Sequence, residues 1–76
     1  MWETKDNAFY REFCFKDFKE AFEFMKKVAV ICEEANHHPY WWNNYNRIGI
    51  KLCTHDSGNR ITKLDYELAE KINKLL

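Results

Sequence analysis

Three histidines are the residues of this sequence best suited to moving protons. His37 and His38 are adjacent and directly precede Pro39, the single proline of the 76-residue chain. Because helical geometry is disfavoured for a residue before proline, we expect His38 to be extended and the two rings to point in different directions. Imidazole has an ordinary pKa of about 6.5, so such side chains both give and take protons at neutral pH.

The third histidine, His55, follows a segment in which apolar and polar residues alternate. Ile48, Ile50 and Leu52 share one predicted face, so His55 and the residues between them point the other way. The expected fold brings this strand end towards the helix end that carries the other two histidines. Three imidazoles at one corner would form an acid-base site, whereas a lone histidine at a helix end is more often a surface or capping residue.

Metal binding would use the same residue types, but their spacing argues against it. Zinc ligands commonly occur as C-x2–4-C or H-x3–5-H, and neither spacing occurs here. Adjacent histidines with divergent rings also chelate a metal poorly. We expect no metal, and we expect Cys14, Cys32 and Cys53 to be reduced thiols because they are odd in number and form no C-x-x-C.

The composition is that of a small globular domain without a charged binding face. Apolar residues make up 46% of the chain, and twelve basic residues balance twelve acidic ones. Such a chain lacks the basic patch of proteins that bind nucleic acid or anionic membranes directly. Without a signal peptide or an apolar run of membrane-spanning length, it is expected to be cytoplasmic, with one domain over residues 1–76.

The first half of the sequence predicts a hairpin. Residues 1–4 and 8–15 are predicted strands, joined by the turn-forming Lys5-Asp6-Asn7. The second strand places Phe9, Phe13 and Phe15 on one face, and Arg11 is the one break in its alternation.

A helix is predicted to follow, from an N-cap at Asp17 to about Ala35. Its apolar residues form two neighbouring stripes, of which one is expected to contact the sheet and the other a second subunit. The first stripe contains Phe18, Ala21, Phe22, Met25, Ala29 and Cys32, and the second contains Phe24, Val28 and Ile31.

The second half of the sequence repeats the hairpin-helix arrangement. Residues 41–45 and 48–54 are predicted strands with a tight turn at Asn46-Arg47, followed by a loop over residues 56–61. Thr62 is the predicted N-cap of the last helix, with Asp65 at its third position. The fold class is therefore α+β, in the order ββαββα, with a four-stranded antiparallel sheet carrying both helices on one face. The apolar stripe of the last helix is expected to contain Ile61, Leu64, Leu68, Ile72 and Leu75.

The segment EEANHHPYWWNNYNRIGIKLCTHDSGNRITKLD, residues 33–65, resembles the pterin-4a-carbinolamine dehydratase family. The family pattern has an acidic residue, three others, His-His-Pro, an aromatic residue, a histidine ten positions later and an aspartate. The upstream FCFKDFKEAFEFMKKVA is similar to the family's strand-to-helix junction, so the resemblance covers nearly the whole chain. The matching positions are Glu33, His37, His38, Pro39, Tyr45, His55 and Asp65.

This sequence departs from the family pattern at a few places. Family chains usually carry an additional N-terminal helix, whereas this sequence starts at the strand that contains Trp2. The first hairpin is shorter, Asn44 stands where an apolar residue is common, and the loop from His55 to Asp65 is one residue longer. Every histidine is retained, so the departures bear on the usual oligomer more than on the chemistry.

The resemblance implies a hydro-lyase that converts 4a-hydroxytetrahydropterin to quinonoid dihydropterin and water in tetrahydrobiopterin recycling, without a metal or redox cofactor. It makes His37 and His55 candidate acids for the departing hydroxyl, and His38 the proton acceptor near N5. Asp65 and Glu33 would orient imidazoles, with His55 as the expected partner of Asp65. Alternatively, Asp65 is only a helix cap and Glu33 only a solvated helix residue.

The resemblance also implies a substrate-binding set and possible protein partners. Asn36, Cys53 and Thr54 flank the histidines and would offer backbone groups to the pterin, and Pro39 and Trp41 complete the set, although Trp41 equally suits the core. A homo-oligomer, dimer or tetramer, is expected. The alternative function is that of a protein-binding cofactor that stabilises dimers of a homeodomain transcription factor, as family members do.

Overall fold

The chain forms one antiparallel sheet covered by two helices, in the order ββαββα that the sequence predicted. The computed structural model describes residues 1–55 and 58–76. Within these residues, no helix is long and apolar enough to cross a membrane. The elements are β1 Glu3–Lys5, β2 Ala8–Cys14, α1 Phe18–Ala35, β3 Tyr40–Asn44, β4 Arg47–Leu52 and α2 Lys63–Asn73.

The two longest strands lie at the centre of the sheet. The strand order is β1-β2-β4-β3, and each neighbouring pair is antiparallel. The register places Phe13 opposite Ile48 and Phe9 opposite Leu52. Because successive side chains alternate between faces, these residues share the helix-covered face with Ile50. Ile48, Ile50 and Leu52 are completely buried, as their alternation predicted.

The core between the sheet and the helices holds the helix ends in place. Burying a large apolar side chain stabilises a fold by about 1.5–3 kcal/mol relative to leaving it exposed. Several such residues from each layer therefore fix α1 and α2 on β2 and β4. The buried cluster comprises Phe13, Ala21, Phe24, Val28, Cys32, Ile48, Ile50, Leu52, Leu68, Ala69 and Ile72.

The first hairpin contains the one residue that breaks the alternation of β2. Its turn residues Asp6 and Asn7 have φ values of 53° and 61°, a left-handed geometry that Asp and Asn tolerate. The predicted turn also included Lys5, which instead lies in β1 and pairs with Ala8. Arg11 lies on the helix-facing side of β2, where its Nη1 donates a hydrogen bond to Asn73 Oδ1 over 2.9 Å. Its guanidinium also lies 4.7 Å from the centre of the Phe13 ring. Arg11 therefore links the sheet to the end of α2.

The second hairpin turns one residue earlier than predicted. The turn residues are Tyr45 and Asn46 instead of Asn46 and Arg47, and β3 starts at residue 40 instead of 41. Asn43 Nδ2 donates to the backbone carbonyls of Tyr45 and Arg47 over 3.1 and 3.0 Å. This side-chain bonding holds Tyr45 at a φ of 54° and leaves Arg47 paired with Asn44 in the ladder.

The predicted division of the α1 surface was wrong. Phe24 and Val28, assigned to a subunit contact, lie in the core of the chain itself. Phe24 packs between two rings of the sheet side, 5.0 Å from Phe13 and 5.1 Å from Phe15. The buried face of α1 takes residues from both stripes, Ala21 and Cys32 from the first and Phe24 and Val28 from the second. The outer stripe, as we call the exposed residues left from the first stripe, contains Phe18, Phe22 and Ala29.

The end of β4 and the segment after it differ from the prediction. β4 ends at Leu52, and Thr54 instead forms an isolated bridge with Arg60. Thr54 N donates to Arg60 O over 2.9 Å, and Asn59 N donates to Thr54 O over 3.1 Å. Of the predicted loop 56–61, residues 56 and 57 lie outside the described part of the chain.

The helix α2 starts after Thr62 as predicted, but it is rotated relative to its predicted apolar stripe. Its buried face consists of Asp65, Leu68, Ala69 and Ile72, whereas Leu64 is half exposed. The rotation has a polar cause, because Asp65 is completely buried and hydrogen-bonded to side chains outside the helix. A helix that buries this carboxylate turns Leu64 away from the core.

Candidate active site

The candidate site begins where α1 ends. Asn36 is the C-cap, with φ 51° and ψ 41°, and the left-handed geometry stops the helix there. His37 N then donates to Cys32 O over 3.1 Å, and Asn36 N donates to Glu33 O over 3.2 Å. The chain thus turns sharply at the two histidines, and their rings contact different carboxylates.

The first imidazole is held by a buried carboxylate. His37 Nε2 lies 2.6 Å from Asp65 Oδ1, and the two side chains are 11% and 0% exposed. Sequence reasoning considered Asp65 as a partner for His55, and the structure corrects this, since the imidazole in contact with Asp65 is that of His37. The carboxylate on one ring nitrogen leaves the other, Nδ1, for a ligand.

Asp65 caps α2 and also contacts a histidine, so it is not only a helix cap. Its Oδ2 accepts from the backbone N–H of Thr62 over 2.9 Å, which is the capping contact. The same oxygen accepts from Thr54 Oγ1 over 2.8 Å. The cap thus fixes the position of the carboxylate, and the carboxylate fixes the ring of His37.

The second imidazole has an exposed partner. His38 Nε2 lies 2.9 Å from Glu33 Oε1, with the two side chains 57% and 82% exposed. Both residues extend from the end of α1, five positions apart. Glu33 is therefore a solvated helix residue that also contacts a histidine.

The three imidazoles meet at one cleft, as the sequence analysis expected. The cleft has a volume of about 270 Å³, and its lining is part polar and part apolar. It is lined by Asn36, His37, His38, Cys53, Thr54, His55 and Leu64.

A second cleft, of about 310 Å³, continues beyond this one. It shares His38, Cys53 and His55 with the first cleft, and adds Tyr40 and Lys51 from the exposed face of the sheet. A ligand between the imidazoles thus has space on two sides of His38.

Two predicted substrate-binding residues do not line the first cleft. Trp41 packs against the hydrophobic core, and Pro39 joins His38 to β3. Sequence reasoning missed Leu64, which it assigned to the core stripe of α2. The available signal for Leu64 was the neighbouring Asp65, because a helix that turns this carboxylate towards the core turns Leu64 towards solvent.

The thiol next to this site is buried. Cys32, whose carbonyl accepts from His37 N, is 2% exposed, and burial raises the pKa of its thiol to about 11. A neutral thiol is a weak nucleophile, which favours a packing role for Cys32. Within the described residues, no three His, Cys, Asp or Glu side chains are grouped so that they could hold a metal ion.

The fold and the site define a small α+β protein with an imidazole-lined cleft. A family model described as pterin 4 alpha carbinolamine dehydratase matches residues 1–75, and the chain belongs to this family. A protein of Prochlorococcus marinus (strain MIT 9215), named as a candidate pterin-4-alpha-carbinolamine dehydratase, is 57% identical over 74 residues, or 97% of this chain and 76% of that protein. A similarly named protein of Synechococcus sp. (strain WH7803) is 46% identical over 97% of this chain and 78% of its own length.

Two solved structures are also similar. The transcriptional coactivator/pterin dehydratase from Brucella melitensis has a TM-score of 0.89 and 45% identity, over 96% of this chain and 79% of that chain. A pterin dehydratase-like protein, identified as a RuBisCO assembly factor in the alpha-carboxysome, has a TM-score of 0.79 over 99% of this chain and 86% of that chain. Its identity is 17%, so that likeness shows the fold alone.

Proposed function

We propose that this protein dehydrates a 4a-hydroxytetrahydropterin to quinonoid dihydropterin and water. The observation that carries the proposal is the meeting of His37, His38 and His55 at one cleft. Two of these rings each have a carboxylate on Nε2. Membership of the family and the names of the relatives support the same substrate class.

The reaction needs one proton delivered and one removed. The C4a–O bond breaks with its electron pair on oxygen, and a proton delivered to that oxygen makes the leaving group water. Removal of the N5 proton leaves the electron pair that forms the C4a=N5 double bond. Each assisted proton transfer typically accelerates a reaction by about 10²–10⁴-fold. The scheme is balanced without a metal or a redox cofactor.

The ring nitrogen that is left free supports an acid-base role for both paired histidines. An ionised carboxylate only accepts hydrogen bonds, so the Nε2 atoms of His37 and His38 carry the hydrogens that point to Asp65 and Glu33. Nδ1 of each ring then faces the substrate, as a base when neutral and as an acid when protonated. We assign the N5 proton to His38, and the proton for the hydroxyl to His37 or His55.

The lining of the cleft suits a flat, polar ring. Asn36, Cys53 and Thr54 line its wall, and Leu64 contributes an apolar side. The donor and acceptor edge of a pterin would pair with polar groups of this wall, and its faces would contact the apolar side and the imidazoles. The product would then be reduced back to tetrahydropterin, which places the protein in tetrahydrobiopterin recycling.

The test is direct turnover. 4a-Hydroxytetrahydropterin is generated in the cuvette by an aromatic amino acid hydroxylase, and quinonoid dihydropterin is followed by absorbance with native protein and with heat-unfolded protein. We expect acceleration by the native protein alone, unchanged after dialysis against a strong chelator. A native protein no faster than buffer would refute the function, and activity lost to chelator and restored by zinc would refute the acid-base mechanism.

A second candidate function concerns the outer stripe of α1. Phe18 and Phe22 are each 46% exposed, and their rings stack with centres 5.5 Å apart. Exposed apolar patches of this kind usually mark interfaces. We infer that the outer stripe contacts a second copy of the chain, in a dimer or tetramer. The competing occupant is a transcription factor, a role in keeping with the coactivator part of the Brucella protein's name.

A charge in the outer stripe tests this interface. Phe22→Glu is expected to convert the oligomer to a monomer in light scattering at micromolar concentration, because the charge would be buried at the contact. Val30→Glu is the matched control, since Val30 is 59% exposed on another side of α1 and its charge would stay in solvent. A parent protein that is monomeric at this concentration would contradict the self-contact and leave the transcription factor as the occupant.

A further inference from the structure

Two threonine hydroxyls lie behind the imidazole that Asp65 holds. Thr54 is 7% exposed and its Oγ1 is 2.8 Å from Asp65 Oδ2. Thr62 Oγ1 is 2.7 Å from Thr54 Oγ1 and 3.5 Å from the carboxylate. The Thr62 hydroxyl is part of the capping box of α2, in which Oδ2 of Asp65 also accepts from the backbone N–H of Thr62. The Thr54 hydroxyl lies outside this box, so its contact with the carboxylate needs an explanation beyond the cap.

The hydrogens of this network have a single consistent direction. A hydroxyl has one hydrogen, and Thr54 is the one that donates to Asp65, because its 2.8 Å contact is far shorter than the 3.5 Å contact of Thr62 with the same oxygen. The short contact between the two hydroxyls then requires Thr62 to donate to Thr54. The chain runs from the Thr62 hydroxyl through the Thr54 hydroxyl to Oδ2 of Asp65. On the other side of the carboxylate, Oδ1 accepts from His37 Nε2.

The two oxygens of Asp65 are thereby divided between two tasks. Oδ2 is occupied by the Thr54 hydroxyl and the Thr62 N–H, which leaves Oδ1 directed at the imidazole. Without the Thr54 hydroxyl, Oδ2 would keep only the Thr62 N–H, and the carboxylate could rotate more freely about its terminal bond, which is a soft torsion. The ring it holds would then lose its single orientation and its single tautomer.

We propose that Thr54 is a positioning residue, whose buried hydroxyl locks Asp65 so that His37 keeps its hydrogen on Nε2 and presents Nδ1 to the cleft. This role rests on the proposed dehydratase function for its kinetic consequence, although the tautomer itself does not depend on that function. Thr54 thus acts through its side chain, whose hydroxyl contacts the carboxylate.

The test compares Thr54→Val, which keeps the shape and removes the hydroxyl, with Thr54→Ser, which keeps the hydroxyl. The exposed threonine of β1 supplies the control, Thr4→Val. Nitrogen-15 spectra of labelled histidine report the tautomer of His37, and steady-state turnover separates kcat from KM. If Thr54→Val does not fold, Thr54→Cys replaces it, because a thiol is a weak donor of similar shape.

We expect the parent, Thr54→Ser and Thr4→Val to show His37 protonated on Nε2 alone, and Thr54→Val to show a mixture of tautomers. We also expect kcat to fall about 10-fold in Thr54→Val with KM unchanged, by analogy with metal-bound histidines, for which loss of an outer hydrogen-bond partner costs about 10–100-fold. An unchanged tautomer in Thr54→Val would overturn the proposal, and so would a changed tautomer with parental kcat. If the parent itself has no turnover, the dehydratase function fails, and the spectra alone decide the role of Thr54.

Discussion

The two histidine-carboxylate pairs of this protein have the same chemistry in opposite surroundings. His37 and Asp65 are buried and lie 28 positions apart in sequence, whereas His38 and Glu33 are exposed and belong to one helix end. The buried pair joins α1 to α2, so its geometry depends on the whole fold. The exposed pair depends only on the end of α1. Two adjacent histidines thus have a buried carboxylate partner in one case and an exposed one in the other.

The difference in burial also changes what each pair contributes to stability. Removing one partner of a buried pair leaves a charge or a polar group without compensation, which costs about 3–5 kcal/mol. An exposed pair is worth about 0–1 kcal/mol, because solvent screens it and two long side chains must be ordered. The buried pair is therefore expected to combine structural and chemical roles, and the exposed pair to be nearly free of a structural role.

The largest expected effect comes from breaking the buried pair. Asp65→Ala should lower the free energy of unfolding by about 3–5 kcal/mol, because His37, Thr54 and the Thr62 N–H all lose their acceptor. Glu33→Ala is the matched control and should lower it by no more than about 1 kcal/mol. Denaturant unfolding of the two variants measures both values. Equal losses would remove the distinction between the pairs.

The next effect separates turnover from stability at the neighbouring histidines. His38→Ala should reduce turnover by about 10²-fold or more and change the free energy of unfolding by no more than about 0.5 kcal/mol. His37→Ala should lose less turnover than His38→Ala, since His55 can also protonate the leaving hydroxyl. It should lose more stability, since Asp65 stays buried without the His37 imidazole that contacts it.

The double variant His37→Ala/His55→Ala should lose much more turnover than either single variant. Turnover and thermal unfolding are to be measured on the same preparations. If His38→Ala turned over like the parent, or unfolded well below it, His38 would be structural and its assignment to N5 would be wrong.

The last prediction tests the burial beneath the His37 pair. Burial raises the pKa of Cys32 from 9.0 to about 11, so above pH 9 the unfolded chain loses the thiol proton while the folded chain keeps it. Unfolding then releases a proton, and stability should fall as pH rises from about 9 to about 11, by at most about 1.4 kcal/mol per pH unit.

Cys32→Ala should lack this part of the pH dependence. In the native protein, a thiol reagent should label the exposed Cys14 and leave Cys32 unmodified. Rapid native labelling of Cys32 would show that the region under His37 is open to solvent and that the contrast between the two pairs is weaker than described.

Much of the fold was predictable because its signals are local. The alternation of Ile48, Ile50 and Leu52 predicted a core face, and all three are buried. Asp17 was predicted as an N-cap, and its Oδ1 accepts from Glu20 N over 2.9 Å. Such patterns depend on the period of a strand and on the four unpaired N–H groups that open a helix, so they can be read from neighbouring residues.

The rotation of the helices was not predictable in the same way. Two apolar stripes on α1 were visible in the sequence, but the buried face combines residues of both, and the packing of Phe24 against Phe13 and Phe15 fixes its direction. On α2, the burial of Asp65 turns Leu64 outward against its apolar character. The buried face of each helix depends on contacts with residues far away in sequence. The periodicity of the helix itself carries no information on those contacts.

The sequence by itself determined which groups are available: three imidazoles, two of them forced apart by Pro39, and two carboxylates at helix ends. Only the tertiary structure decided the pairing, which gives Asp65 to His37 and leaves Glu33 to His38. The physical reason is that a helix cap is a local contact, satisfied by Thr62 and Asp65 in any fold that starts a helix there. The second oxygen of the same carboxylate takes whichever imidazole the docking of α2 against α1 brings within reach.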